Sequence, residues 1–135
     1  MKCRCFPAKI EQLDEVLAFV MDELETCACS PKIRCQIELA VEEIFVNIAS
    51  YAYQPKEGDA EVRCNVLREP LRIEIQFLDG GKPFDPLARE KADTSPESFM
   101  NREGGLGIFL VREMMDEVQY SYENGKNILT VLKKL

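Results

Sequence analysis

The chain predicts an α+β fold: a two-layer sandwich with helices over one face of a mixed, mostly antiparallel sheet. Three observations predict it. Two pairs of alternating segments, "AEVRCNVLRE" with "LRIEIQFLD" and "EVQYSY" with "NILTVLKK", read as hairpins. Two stretches with apolar residues at helical spacing precede the first pair, and a third separates the pairs. The resulting order is strand, two helices, hairpin, long loop, helix, hairpin, which lacks the βαβαβ alternation of a doubly wound parallel sheet.

The elements follow in turn. "KCRCF" alternates and forms a short first strand ending at Pro7. From Glu11 to Cys27, Leu13, Val16, Leu17, Val20, Met21 and Leu24 recur at helical spacing. Ser30 then supplies an N-cap, and Pro31 suits the first helical position because its missing N–H would be unpaired there anyway. This second helix runs through "IELAVEEIFVNIASYAY" and stops before Pro55, with Ile37, Val41, Ile44, Phe45, Ile48 and Ala52 as its core stripe. In the first hairpin Leu71, Ile73, Ile75 and Phe77 face one side, and Arg72, Glu74 and Gln76 the other. From "GGKPFDP" to about Asn101 the chain is polar, rich in breakers and without a clear secondary-structure signal; so long a loop in a compact domain is usually functional. A third helix spans about Leu106 to Asp116, and Asn124-Gly125 is a two-residue hairpin turn.

At 135 residues, a single domain covering 1–135 is expected, long enough to bury a core. No apolar run approaches the roughly 18 residues of a membrane span, and "MKCRCFPAKIEQ" has no signal-peptide core, so a cytoplasmic protein is expected. The net charge of −7, without a basic run, argues against direct nucleic-acid binding and suits a protein partner. Six cysteines in two Cys-x-Cys pairs and two single sites, with no histidine, do not match zinc spacing and read as reduced structural thiols. The missing histidine also excludes His-based triads, leaving a carboxylate, lysine, tyrosine or cysteine as any catalytic base.

Three patches carry candidate chemistry. Glu43 and Asn47 lie one helical turn apart on the flank of the second helix, off its core stripe. Asp79 closes an alternating strand at "FLDGGKPFDP", where Gly81 would admit a ligand ring next to a carboxylate. "REGGLGIFLV" places three glycines at a helix start, where backbone amides can meet phosphate. Singly, each has an ordinary explanation: an exposed glutamate, a turn aspartate, a glycine cap. Their shared order is more specific.

With these motifs the chain resembles the anti-sigma-factor serine/threonine-protein kinase family, small members of the GHKL or histidine-kinase-like ATPase superfamily with the Bergerat ATP-binding fold. "ELAVEEIFVNIASYAY" is similar to its N box, "DGGKPFDP" to its first glycine box and "REGGLGIFLVREMMDEVQY" to its second. Pro83 stands where the wider superfamily often has a second glycine, though "PFDP" is familiar in the anti-sigma branch; Tyr51 stands where relatives often carry histidine.

The resemblance implies specific roles. Asn47 would hold Mg2+ at the ATP phosphates, and Glu43 would be the general base toward a protein serine. Asp79 would accept the adenine amino group, with Gly81 and Phe84 shaping the base pocket. Arg102, Gly104, Gly105, Leu106 and Gly107 would form the phosphate-binding end of an ATP lid. Implied partners are an anti-anti-sigma protein as phosphorylation substrate, a sigma factor held by sequestration, and a second copy of the chain in a homodimer. An ATP-binding regulatory module without significant kinase activity is the alternative. A ligand-free interaction protein would leave Asn47, Asp79 and the glycines unexplained.

Overall fold

The computed structural model describes residues 1–90 and 105–135. Strand β1 (Lys2–Pro7) leads through a single 3-10 turn (Ile10–Gln12) into α1 (Leu13–Leu24), and α2 (Pro31–Asn47) follows. Ser30 caps α2 as expected: its Oγ accepts from the Ile33 N–H at 3.2 Å, and Pro31 occupies the first turn. The sequence predicts one helix up to Tyr53. Instead α2 gives way to a wider π-type turn (Ile48–Ala52), a distortion often found at functional sites.

Strands β2 (Asp59–Leu67) and β3 (Arg72–Asp79) form the first hairpin, and β4 (Glu117–Glu123) and β5 (Lys126–Lys134) the second. Asn124 and Gly125, both at positive φ (53° and 76°), make the tight turn their sequence specifies. Between the hairpins lie a short α3 (Pro86–Glu90), inside the stretch read as loop, and α4 (Gly105–Met114). Pro86 can open α3 because its fixed φ suits a first helical turn.

The sheet order is β1-β2-β3-β5-β4, and each of the four described pairings is antiparallel. The mixed sheet expected from the sequence is thus fully antiparallel over the described strands. Had β4 docked beside β3 after the α4 crossover, a parallel pair would have resulted. Instead β5 takes that place and β4 becomes an edge, a choice that local pattern cannot encode.

The described helices pack on one face of the sheet. Phe6, Val62, Ile75, Phe77 and Val131 of the sheet meet Val16, Val20 and Leu24 of α1, Ile37, Val41 and Phe45 of α2 and Val111 of α4, all 1% exposed or less. Each such side chain contributes about 1.5–3 kcal/mol by leaving water, so this interface supplies the main stabilisation. The opposite sheet face is half-exposed and carries Gln76, which donates to Thr130 Oγ1 at 3.1 Å.

Cys64 is fully buried on β2, whereas Cys3, Cys5 and Cys35 are exposed. Burial, reinforced by the nearby Glu23 carboxylate, pushes the Cys64 thiol from its ordinary 9.0 up to about 12. Stability from this neutral thiol is therefore full below about pH 9 and lost as pH rises toward 12, on the order of 4 kcal/mol over that window. Urea unfolding between pH 7 and 10.5 should show a steeper alkaline decline in the wild type than in Cys64→Ala. Equal slopes would contradict this account.

Candidate functional site

The end of α2 and the π-type turn, the C-terminal end of β3, the start of α4 and the first residues of β5 surround a cavity of about 330 Å3. This lies at the lower end of the roughly 300–1,000 Å3 typical of small-molecule sites. Ile44, Ile48, Phe77, Ile108, Val111 and Leu129 give it apolar walls; Asn47, Asp79, Lys82, Tyr120 and Asn127 are its polar groups. A few polar groups on an apolar wall suit a flat heteroaromatic ligand with one or two directional hydrogen bonds.

Asp79 is 6% exposed, where the alternation of β3 turns its side chain to the helix face with Phe77. Its Oδ1 accepts from the Gly81 N–H at 3.0 Å and from Asn127 Nδ2 at 3.0 Å. Among the described residues Oδ2 has no hydrogen-bond donor, so it is the oxygen left for a ligand. A buried carboxylate with a spare acceptor on a cavity wall is costly unless a donor arrives to use it.

Glu43 and Asn47 both lie half-buried on α2, and Asn47 lines the cavity. Gly107, buried in the first turn of α4, comes directly against them. A Cβ on Gly107 would sit 2.7 Å from Glu43 Oε2 and 3.8 Å from Asn47 Nδ2. A side chain there would push the Glu43 carboxylate aside. The fold therefore brings together two patches that are sixty residues apart in sequence.

Gly81 has a different neighbour from the one its sequence context suggests. A Cβ there would collide with the Ala52 carbonyl at the end of the π-type turn, so its lack of a side chain accommodates backbone. Phe84 is 49% exposed and lines the cavity, while its N–H donates to Asn127 Oδ1 at 3.1 Å. Tyr51, 43% exposed, lines the same cavity. Gly105 and Leu106 are the first two residues of α4. Arg102 and Gly104 lie outside the described residues.

Two site residues are missing from the sequence reading. Asn127, 7% exposed, faces the core side of β5 together with Leu129 and Val131. Its signal was available: an asparagine at an inward position of an alternating strand is disfavoured unless its amide is fully hydrogen-bonded. Tyr53 is the other. Its hydroxyl accepts from the Gly80 N–H at 2.7 Å and donates to the Asp59 carbonyl, and its ring fills the space beside Gly58. Burial raises its phenol pKa above the ordinary value. Tyr53→Phe should keep the ring packing, lose both bonds and lower stability by about 1–2 kcal/mol. Chemical denaturation checks this; an unchanged midpoint would mean the clip carries no net stability.

Among the described residues no cluster of three or more acidic, cysteine or histidine side chains could hold a metal by itself. Asn47, which lines the cavity, carries an amide oxygen of the kind that suits a cation shared with a ligand's phosphates. No helix among the described residues is long and apolar enough to cross a membrane.

Comparison with known proteins places this geometry in context. A family model described as "Histidine kinase-like ATPase domain" matches residues 6–133. A serine-protein kinase RsbW of Listeria monocytogenes is 30% identical over 97 residues, covering 69% of this chain and 61% of the relative. The RsbW of Bacillus licheniformis is 34% identical over 97 residues, 68% of this chain and 59% of the relative. That of Bacillus pumilus is 30% identical over 118 residues, 83% and 66% respectively. The matched stretches thus span less than two thirds of these relatives' own lengths. Among solved structures, the Acinetobacter baumannii histidine kinase AdeS aligns over 99% of this chain and 68% of its own, with TM-score 0.53 and 16% identity. The catalytic domain of histidine kinase ThkA aligns over 99% and 98%, with TM-score 0.51 and 11% identity. These two likenesses establish the α+β sandwich. The family match over nearly the whole chain, together with relatives named as serine-protein kinases, shows that the chain belongs to the histidine kinase-like ATPase domain family.

Proposed function

We propose that this protein is an ATP-dependent anti-sigma factor that acts as a protein-serine kinase, phosphorylating an anti-anti-sigma partner and sequestering a sigma factor. The observation that carries the reading is the contact of Gly107 with Glu43 and Asn47 beside a cavity that also holds the buried Asp79. The serine-protein kinase names of the relatives support it.

In this reading the chain's own groups divide the task. Asp79 Oδ2 accepts from the adenine amino group, and Ile48, Phe77, Ile108 and Leu129 take the base out of water. Phe84 flanks the base, while Gly81 lets the loop after β3 close against α2. The backbone at Gly104, Gly105, Leu106 and Gly107, with the Arg102 guanidinium, holds the phosphates. The Asn47 oxygen holds magnesium, which when bound neutralises charge on the phosphates. Glu43 accepts the proton of the substrate serine as its oxygen bonds to the γ-phosphorus and the bond to the β-phosphate breaks, releasing ADP. Positioning and charge neutralisation supply most of the acceleration in such transfers, so a carboxylate base suffices without histidine. The protein works as a homodimer in the cytoplasm, without direct contact to nucleic acid or membrane.

The test is Mg-ATP binding by calorimetry followed by transfer of labelled γ-phosphate to a candidate anti-anti-sigma protein. Binding with label on serine supports the proposal. Binding without transfer leaves an ATP-binding regulatory module. No binding by the folded protein overturns both readings.

A further inference from the structure

We infer that Asn127 is the positioning residue that sets the base selectivity of this site, an inference that rests on the nucleotide-binding reading above. Its amide lies at the centre of a closed hydrogen-bond set. Nδ2 donates to Asp79 Oδ1 at 3.0 Å, to the Lys82 carbonyl at 2.9 Å and, at the longer distance of 3.4 Å, to the Gly81 carbonyl. Oδ1 accepts from the Phe84 N–H at 3.1 Å and from the Tyr120 hydroxyl. The surroundings define the amide's orientation, since a flip would set its NH2 against the Phe84 N–H and its oxygen against two carbonyls and a carboxylate.

Two consequences follow. The segment from Asp79 to Phe84 is wrapped around one buried side chain, so the shape of this cavity wall depends on a residue nearly fifty positions away. Moreover, Gly81 N–H and Asn127 Nδ2 both engage Oδ1 of Asp79, which orients the carboxylate and leaves Oδ2 as the acceptor for a ligand. An acceptor at Asp79 Oδ2 favours a base with an exocyclic amine and disfavours one with a carbonyl at that position. Asn127 need not touch the base; it selects through Asp79.

The probes are ATP and ITP, which differ at that position by an amine against a carbonyl. Wild type should bind ATP at least about tenfold more tightly than ITP, because a buried acceptor facing the wrong group remains unpaired. Asn127→Asp replaces the donor with a carboxylate facing Asp79 Oδ1, so the bond that orients the Asp79 carboxyl is lost, like charge opposes it, and Oδ2 is no longer held toward the base. The ATP-to-ITP preference should then fall about tenfold, with KM for ATP rising and kcat at saturating ATP within about threefold of wild type. Tyr120→Phe removes the hydroxyl that donates to Asn127 Oδ1 and meets the Phe84 backbone, both within the same hydrogen-bond set, and should reduce the same preference about threefold. It also decides the matter should Asn127→Asp fail to fold. Weaker ATP binding with an unchanged ATP-to-ITP ratio would overturn the inference, leaving Asn127 a structural residue. Equal wild-type binding of ATP and ITP would overturn it while leaving the kinase reading intact. Absence of all nucleotide binding would remove the underlying reading instead.

Discussion

Asp79→Asn is expected to weaken Mg-ATP binding by about a hundredfold or more while leaving the fold intact. The substitution preserves shape, but two N–H donors, from Gly81 and Asn127, already point at one oxygen of this side chain. The amide oxygen of the variant has to stay there, because its NH2 would face those donors unfavourably. The NH2 is thereby forced to the Oδ2 side, where it meets the amine of the base, donor against donor. Loss of a charge-assisted hydrogen bond accounts for about 1.5–3 kcal/mol, and the mismatched donor adds to it. Calorimetric titration of both proteins measures the difference. An affinity within about threefold of wild type would remove Asp79 from the binding site.

Glu43→Gln should show the complementary behaviour. Phosphotransfer to serine is expected to fall by about two to four orders of magnitude, the usual contribution of a positioned general base. Mg-ATP affinity should change little, since the cavity lining includes Asn47 but not Glu43. Glutamine is the informative replacement because it fills the space against Gly107, where a smaller residue would also loosen the α2–α4 contact. Single-turnover transfer with saturating ATP separates chemistry from binding. Transfer near the wild-type rate would exclude Glu43 as the base.

Several of the residues that line or flank the candidate site are legible in the sequence. Glu43 and Asn47 stand one turn apart off an apolar stripe, and helical periodicity alone puts them side by side. Asp79 was conspicuous as a carboxylate ending an apolar strand and followed by two glycines. The glycine-rich start of α4 reads in the sequence as a backbone approach to phosphate; what the structure adds is that Gly107 lies against Glu43. Gly81 was harder to read, because glycine serves a ligand and a neighbouring main chain equally well; its close neighbour is the Ala52 carbonyl. Asn127 and Tyr53 escaped notice for a similar reason. Each acts on the loop after β3 from a distant part of the chain: Asn127 lies in no short motif, and Tyr53 ends the "ELAVEEIFVNIASYAY" stretch without any local mark of that contact.

The sequence by itself determined the elements of this protein: the Ser30-Pro31 helix start, the alternating faces of β2 and β3, the Asn124-Gly125 turn and the apolar surface that covers the sheet. These depend on interactions among residues a few positions apart, so local pattern encodes them. Only the tertiary structure decided that β5 lies between β3 and β4, and that placement brings Asn127 alongside Asp79. It also decided that α4 packs on α2 closely enough for Gly107 to touch Glu43. Both outcomes arise from long-range burial of apolar faces, which fixes distances between residues whose separation along the chain carries no information about them.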